Sequence, residues 1–259
     1  MIKLKKKINN KVAIVTGAGS GIGKAVALGL AKEGLDVYLA GRKKEKLTIT
    51  KQQSIKENNR GGCYVVKCDV SKEMDVKKLF FLIQKQHRRL DLLFNNAGIG
   101  MYSKTIDEIK FEDWKKVINI NINGMFLCAK YAYQMMKKQR PKGGRIINNG
   151  SISAFSPRPK SAAYTTSKHA ITGLTKSLAL DGRKDKILCS QIDIGNALTP
   201  LTKTFTKGVM QSHGSKQIEP TMNVENIVEL IVLMQNLPLN TNILNTTIMA
   251  NNMPYVGRG

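Results

Sequence analysis

Residues 11–30 read KVAIVTGAGSGIGKAVALGL, and the junction inside this stretch decides the fold. KVAIVTG is an apolar, β-branched run, the pattern of a strand buried on both faces. Residues 21–34 then carry apolar side chains at helical spacing. Glycines at 17, 19, 21 and 23 fall where strand becomes helix. Glycine permits a tight turn there and lets backbone approach a ligand closely. A helix starting from such a turn offers free N–H groups and the positive end of its dipole, which suits a pyrophosphate. The spacing is T-G-x-x-x-G-x-G, related to G-x-G-x-x-G but distinct from it. A plain structural turn is the alternative. The place of the loop in the first strand–turn–helix unit favours dinucleotide binding, with Gly17, Ser20, Gly21, Ile22 and Gly23 at the phosphates.

The pattern repeats along the chain. LDVYLAG (35–41), CYVVKCDV (63–70), LDLLFNNAG (90–98), GRIINNGS (144–151), KILCSQIDI (186–194) and TNILNTTIM (241–249) read as six further strands. Residues 42–57, 72–88, 111–138, 162–182 and 223–236 read as helices between them. Continuous apolar strands alternating with helices predict an α/β, Rossmann-type doubly wound sheet of seven parallel strands with helices on both faces. No composition break or repeat divides the chain, so residues 1–259 read as one dinucleotide-binding and catalytic domain. Residues 196–221 break the periodicity. They read as a long connection over the substrate, a disordered surface loop being the alternative.

Composition narrows the class. The 259 residues carry 42 Lys and Arg against 18 Asp and Glu, a formal net charge of +24. The charge is dispersed rather than gathered in one tail, which argues for a lysine-rich bias over nucleic-acid binding. No apolar run reaches the length of about 18 residues that suggests a membrane span. The basic start lacks an apolar segment of its own, so no signal peptide is expected and a cytoplasmic location is. Cys63, Cys68, Cys128 and Cys189 form no Cys-x-x-Cys pair and sit mostly in apolar runs, so buried free thiols are expected. His87, His169 and His213 show no ligand spacing, so no metal is expected.

Two local features point to chemistry. The second strand ends YLAGRKK, with Gly41 where a carboxylate would hold an adenosine ribose 2′-hydroxyl. Arg42 and two lysines follow instead. Charge complementarity favours NADP over NAD as cofactor, the alternative being that these bases merely begin an exposed helix. In SAAYTTSKHA (161–170), Tyr164 and Lys168 are four apart, on one face of a helix. A neighbouring ammonium favours phenolate over phenol, so the pair reads either as a tuned acid/base or as a chance surface pair.

Together these segments resemble the short-chain dehydrogenase/reductase family in its single-domain form. The residues that carry the resemblance are TGAGSGIG (16–23), CDV (68–70), NNAG (95–98), NING (121–124), GSIS (150–153), YTTSK (164–168) and DIGNALT (193–199). The resemblance implies an NAD(P)-dependent oxidoreductase moving a hydride between a nicotinamide and a small alcohol or carbonyl substrate. It implies Tyr164 as acid/base, and Lys168 as the residue that lowers the tyrosine pKa and holds the nicotinamide ribose. It implies Ser151 as the residue orienting the substrate oxygen, and Asn121 as the anchor of a water relay to the lysine. Asp69, beside Val70, would hold the adenine. Asn96, Ala97 and Gly98 would line the adenosine ribose, though the asparagines at 95 and 96 equally suit backbone bonding between strands. Thr199 would meet the pyrophosphate or carboxamide.

Two positions depart from the family pattern. Ile194-Gly195 stands where Pro-Gly is usual, which should loosen the turn after the sixth strand. Gly150 stands where a second serine often precedes the catalytic one. For the substrate, Met101, Phe155 and Met210 suggest an apolar pocket, whereas Arg158 and Lys160 could meet an acid. A homotetramer or homodimer built on the helices at 111–138 and 162–182 is expected. Tyr131, Tyr133, Met135 and Met136 suit such an interface, or equally the core. The tail from Met253 is expected to close over the substrate loop or a neighbouring subunit. A cofactor-binding regulator or scaffold without turnover is the competing function.

Overall fold

The structure, a computed structural model, describes residues 11–102, 104–199, 202 and 208–256. The basic run at 3–7, Ser103, the tail residues 257–259 and residues 200–201 and 203–207 of the expected substrate connection lie outside the described residues. Strands β1 (Val12–Thr16), β2 (Asp36–Gly41), β3 (Cys63–Lys67), β4 (Leu92–Asn95), β5 (Gly144–Asn149) and β6 (Ile187–Gly195) follow in chain order. A short antiparallel ribbon, β7 (Val209–Met210) and β8 (Lys216–Gln217), comes next, and β9 (Asn245–Met249) is last. The main sheet has the order β3-β2-β1-β4-β5-β6-β9 and every pairing in it is parallel. The seven expected strands are therefore all present, and the ribbon lies within the segment expected to break periodicity.

The helices divide between the two faces. On one side α1 (Gly21–Lys32), α2 (Lys44–Lys56) and α7 (Glu225–Asn236) pack Val26, Leu30, Leu47, Ile227 and Ile231 against the inner strands. On the other, α3 (Glu73–Gln86), α5 (Gly124–Lys138) and α6 (Ala162–Asp181) contribute Leu79, Ile83, Cys128, Met136 and Leu178. With both faces covered, all five residues of β1 and all six of β5 are buried. That double burial is why β1 is a continuous apolar run rather than an alternating one, and why the polar residues of β5, Arg145 among them, need buried partners. All four cysteines are buried and free.

Chain order reverses between β1 and β4, which are neighbours although β2 and β3 intervene in sequence. A crevice opens beyond the carboxyl ends of the strands at such a point, because successive connections leave it in opposite directions.

Two expectations need correction and one open alternative is decided. The segment 111–138 is not one helix. It is α4 (Phe111–Ile118), a wide π-turn over Asn119–Asn123, and α5. The NININ sequence of that turn pairs β-branched and amide side chains, both poor helix formers, so the local register gives way there. The seventh strand begins at Asn245, not 241, because Arg145 recruits residues 237–242 into a loop. Of the two readings left open for Met135 and Met136, core packing is the one observed: both are buried among the chain's own apolar side chains. Tyr131 and Tyr133 are partly buried, with hydroxyls donating to Glu73 and to the Asp181 carbonyl.

Arg145 is the largest fully buried side chain among the described residues. Its guanidinium donates to the carbonyls of Leu237, Pro238 and Thr241 and to Asn242 Oδ1, at 3.2–3.5 Å. A cation suits this place because the carbonyls left over at the end of α7 carry partial negative charge.

Candidate active site

The crevice is a cleft of about 580 Å³ that runs from the glycine turn to the start of α6. At one end β1 turns sharply. Gly17 adopts φ +70° and Gly21 φ +52°, the left-handed region that glycine enters without strain. Gly23 has no room for a side chain: a Cβ there would lie 2.5 Å from both the Gly17 carbonyl oxygen and Asn96 Nδ2. Gly23→Ala is therefore expected to push the turn apart and weaken nucleotide binding by tenfold or more, roughly 1.4 kcal/mol. Fluorescence titration with NADPH measures it, and an unchanged dissociation constant would contradict the close-packed turn.

Every cofactor residue expected from the sequence lies on the wall of this cleft: Gly17, Ser20, Gly21, Ile22, Gly23, Arg42, Asp69, Val70, Asn96, Ala97, Gly98, Tyr164, Lys168 and Thr199. Lys43 and Lys46 join Arg42 at the same end. Asn96 is held firmly. Its backbone N–H donates to Thr16 Oγ1 and its Nδ2 to the Thr16 carbonyl, while its Oδ1 accepts from Asn149. Its side chain thus spans three neighbouring strand ends, and Asn95, bonded to Met125 O and Asn148, is wholly internal. The Asp69 carboxylate accepts from the backbone and hydroxyl of Ser71. Cys68 also touches the cleft, but burial pushes its thiol up to about 12, so it is not a nucleophile at neutral pH.

Ser151, Tyr164 and Lys168 line the other end. Ser151 follows β5, and its Oγ accepts the Ser153 N–H at 3.1 Å. Tyr164 and Lys168 lie on the first turns of α6, with the Lys168 Nζ 5.5 Å from the centre of the Tyr164 ring. Lys168 is buried and donates to the Asn149 carbonyl at 2.7 Å. No carboxylate shares it in this structure's ion pairs among the described residues, so its charge is left to act on the phenol and on a bound ligand.

Asn121 is the expected site residue that does not reach the wall. It sits in the π-turn, fully buried, with its amide spent on both backbone groups of Ile99 and on Ser167 Oγ. It ties the cleft-lining residues 98–99 to α6 from behind. π-turns of this kind often occur at functional sites.

The structure also supplies partnerships that sequence reasoning missed. Tyr102 packs its ring 5.0 Å from that of Tyr164, tilted by 56°. Burial and the neighbouring Tyr164 hold its phenol well above the ordinary tyrosine range. Arg158, on the same wall, meets Glu219 with two guanidinium nitrogens, and Asn196 and Gln211 also donate to Glu219. Nothing in sequence spacing could pair residues 61 positions apart. Asn196 takes φ +49° just after β6, so this side-chain network holds the turn that the missing proline was expected to leave loose. Met253 of the tail is buried in the same chain's core and Gly195 leaves space beside its sulfur.

Burial alone would raise the Glu219 carboxyl, but donation from Arg158, Asn196 and Gln211 reverses this and brings it to about 2. A carboxyl lowered on folding adds stability above its unfolded value near 4.5, and that stability fades as pH falls towards 2. Thermal melts should therefore show Glu219→Gln less stable than wild type at neutral pH, with the gap closing between about pH 4.5 and 2. A gap independent of pH would contradict the pairing.

A glycine turn, basic residues beyond β2 and a Ser-Tyr-Lys cluster on one cleft define a dinucleotide-dependent oxidoreductase. The comparisons agree. Residues 11–209 match the short chain dehydrogenase family model, and the chain belongs to that family. It is 40% identical over 197 residues to a 3beta-hydroxysteroid dehydrogenase of Mediterraneibacter gnavus, covering 76% of this chain and 70% of that one. The structure of acetoin dehydrogenase YohF from Salmonella typhimurium is similar at 31% identity and a TM-score of 0.75, covering 92% of this chain and 95% of that one. A metagenomic short-chain oxidoreductase in complex with NADP matches at 25% identity and a TM-score of 0.76, covering 92% and 96%. The protein is thus an oxidoreductase of short-chain dehydrogenase/reductase type that uses a nicotinamide cofactor. No helix among the described residues is long and apolar enough to cross a membrane.

Proposed function

We propose that the protein is an NADP-preferring dehydrogenase/reductase that interconverts a secondary alcohol and a ketone, with Tyr164 as acid/base. The observation that carries this reading is the meeting of Ser151, Tyr164 and Lys168 at one end of a cleft whose other end is lined by Arg42, Lys43 and Lys46. The nicotinamide, when bound, supplies or accepts the hydride. Tyr164 gives a proton to the oxygen of a reduced carbonyl, or takes one from an alcohol, and Ser151 donates a hydrogen bond to the same oxygen. Lys168 holds its ammonium beside the Tyr164 ring and contacts the cofactor ribose. Asn121 holds residue 99 and α6 in register behind them. Asp69 and Val70 face the adenine, residues 96–98 the adenosine ribose, and Thr199 the pyrophosphate or carboxamide.

The substrate end favours a neutral molecule with an apolar body. Ile99, Tyr102, Ile152, Ile194 and Ala197 line it, and the Arg158 charge is matched by Glu219. Relatives named for a hydroxysteroid and for acetoin make a ketosteroid and diacetyl the first probes. A cytoplasmic homodimer or homotetramer on the helices from 111 and 162 accords with the exposed Phe111 and Phe126 there. A monomer in sedimentation at micromolar concentration would remove that part.

The deciding experiment is titration of wild type and Arg42→Asp with NADPH and NADH by fluorescence. Wild type is expected to bind NADPH at least tenfold more tightly, about 1.4 kcal/mol, and Arg42→Asp to reverse the preference. Tighter NADH binding by wild type would overturn the NADP preference alone. Binding of neither nucleotide would overturn the cofactor site itself.

A further inference from the structure

We propose that Asp193 is the positioning residue for Ser151, and that Gly150 is the gap that admits it. The inference rests on reading Ser151 as the residue that meets the substrate oxygen. In the β5–β6 register Asn149 lies beside Ile192, so the next residue along each strand brings Gly150 beside Asp193. Asp193 is completely buried and lies behind the cleft wall rather than on it. Its Oδ1 accepts the Ser151 backbone N–H at 2.9 Å and Gln191 Nε2 at 2.8 Å. Its Oδ2 accepts Asn245 Nδ2 at 2.8 Å. The other two donors are themselves on rigid elements: Asn245 opens β9, and Gln191 is in β6 and also donates to Thr172 on α6.

The carboxyl therefore links β6, β9 and α6 to the residue at the end of β5. Ser151 is held twice, at its N–H by Asp193 from behind and at its Oγ by the Ser153 N–H. Its backbone leaves the strand extended, with φ −170° and ψ 151°, so its direction depends on these anchors. Gly150 fits the same account. A Cβ there would lie 2.2 Å from Asp193 Oδ1 and 2.9 Å from Gln191 Cγ. Any side chain at 150 would collide with this carboxyl in this position. The two residues form one device.

The test measures diacetyl reduction with NADPH for Asp193→Ala, Asp193→Asn and Gly150→Ala, each in wild-type and Ser151→Ala backgrounds. Asp193→Ala and Gly150→Ala are expected to lower kcat about 10- to 100-fold, the size of effect that misplacing a reacting group produces. NADPH affinity should stay within about twofold, because Asp193 lies off the cleft wall. Asp193→Asn should keep most of the activity, since an amide oxygen still accepts from Ser151. In the Ser151→Ala background the Asp193→Ala effect should fall below about threefold, because residues acting through one another are not additive. An equal loss in both backgrounds, or no loss in either, overturns the proposal. Amide hydrogen exchange of residues 148–155, read by mass spectrometry, is the second arm. Protection should drop in Asp193→Ala and persist in Asp193→Asn, and unchanged protection in Asp193→Ala also overturns it. Should wild type reduce neither diacetyl nor a ketosteroid, the functional reading fails separately, and the exchange arm still decides whether Asp193 tethers Ser151.

Discussion

Replacing Tyr164 by phenylalanine is expected to lower kcat by about two to four orders of magnitude, the range a positioned general acid contributes. NADPH affinity and the melting temperature should stay close to wild type. The substitution removes one oxygen and keeps the ring, which is half-buried, packed on Tyr102 and faced by Lys168 Nζ. The residues from the glycine turn to Asp69 that are proposed to meet the cofactor line the other end of the cleft and are untouched. Steady-state kinetics with diacetyl or a ketosteroid, paired with fluorescence titration, checks both halves. A loss below tenfold would mean that another group supplies the proton. Tyr102 is the nearest second phenol, and Tyr102→Phe in the same assay would expose it. Burial and Tyr164 hold the Tyr102 phenol protonated more strongly, which disfavours it as a base.

The second large effect is on stability. Arg145→Met should destabilise the protein by about 3 kcal/mol or more, because four part-buried acceptors lose a charged donor and hydrogen bonds to charged groups contribute about 1.5–3 kcal/mol each. The acceptors are the carbonyls of Leu237, Pro238 and Thr241 and the Oδ1 of Asn242. Methionine retains much of the stem's packing, so the loss isolates the polar part better than alanine would. Burial already lowers the Arg145 pKa, and no carboxylate is among its hydrogen-bond partners, so no orphaned anion complicates the comparison. For a chain of this size, 3 kcal/mol corresponds to a drop in melting temperature of roughly 6–12 °C. A melt within about 2 °C of wild type would mean that water replaces the guanidinium at little cost.

Asn242 has a second duty that makes this site central to the edge of the sheet. It donates to the Cys189 carbonyl and accepts from Ser190, both on β6. Loss of Arg145 would therefore loosen the approach to β9, and with it Asn245, one of the three donors to Asp193. A stability defect at Arg145 and a kinetic defect at Asp193 should remain separable. The first is read in the melt and the second in kcat.

The residues that strand periodicity and turn chemistry govern were legible from the chain alone. The apolar runs at 12–16 and 37–40, the glycines from 17 to 23 and the i, i+4 pair of Tyr164 and Lys168 express interactions between near neighbours. Local sequence carries those directly, and the parallel sheet followed because strands buried on both faces have to be continuously apolar. The end-on capture of residues 237–242 by Arg145, the Arg158–Glu219 pair and the carboxyl of Asp193 behind Ser151 were set by the tertiary structure. Each joins groups from different elements, and all three satisfy charges that sequence marks only as polar residues in odd places. A buried polar side chain is stable only where its partners converge in space, and that convergence exists only once the sheet has assembled.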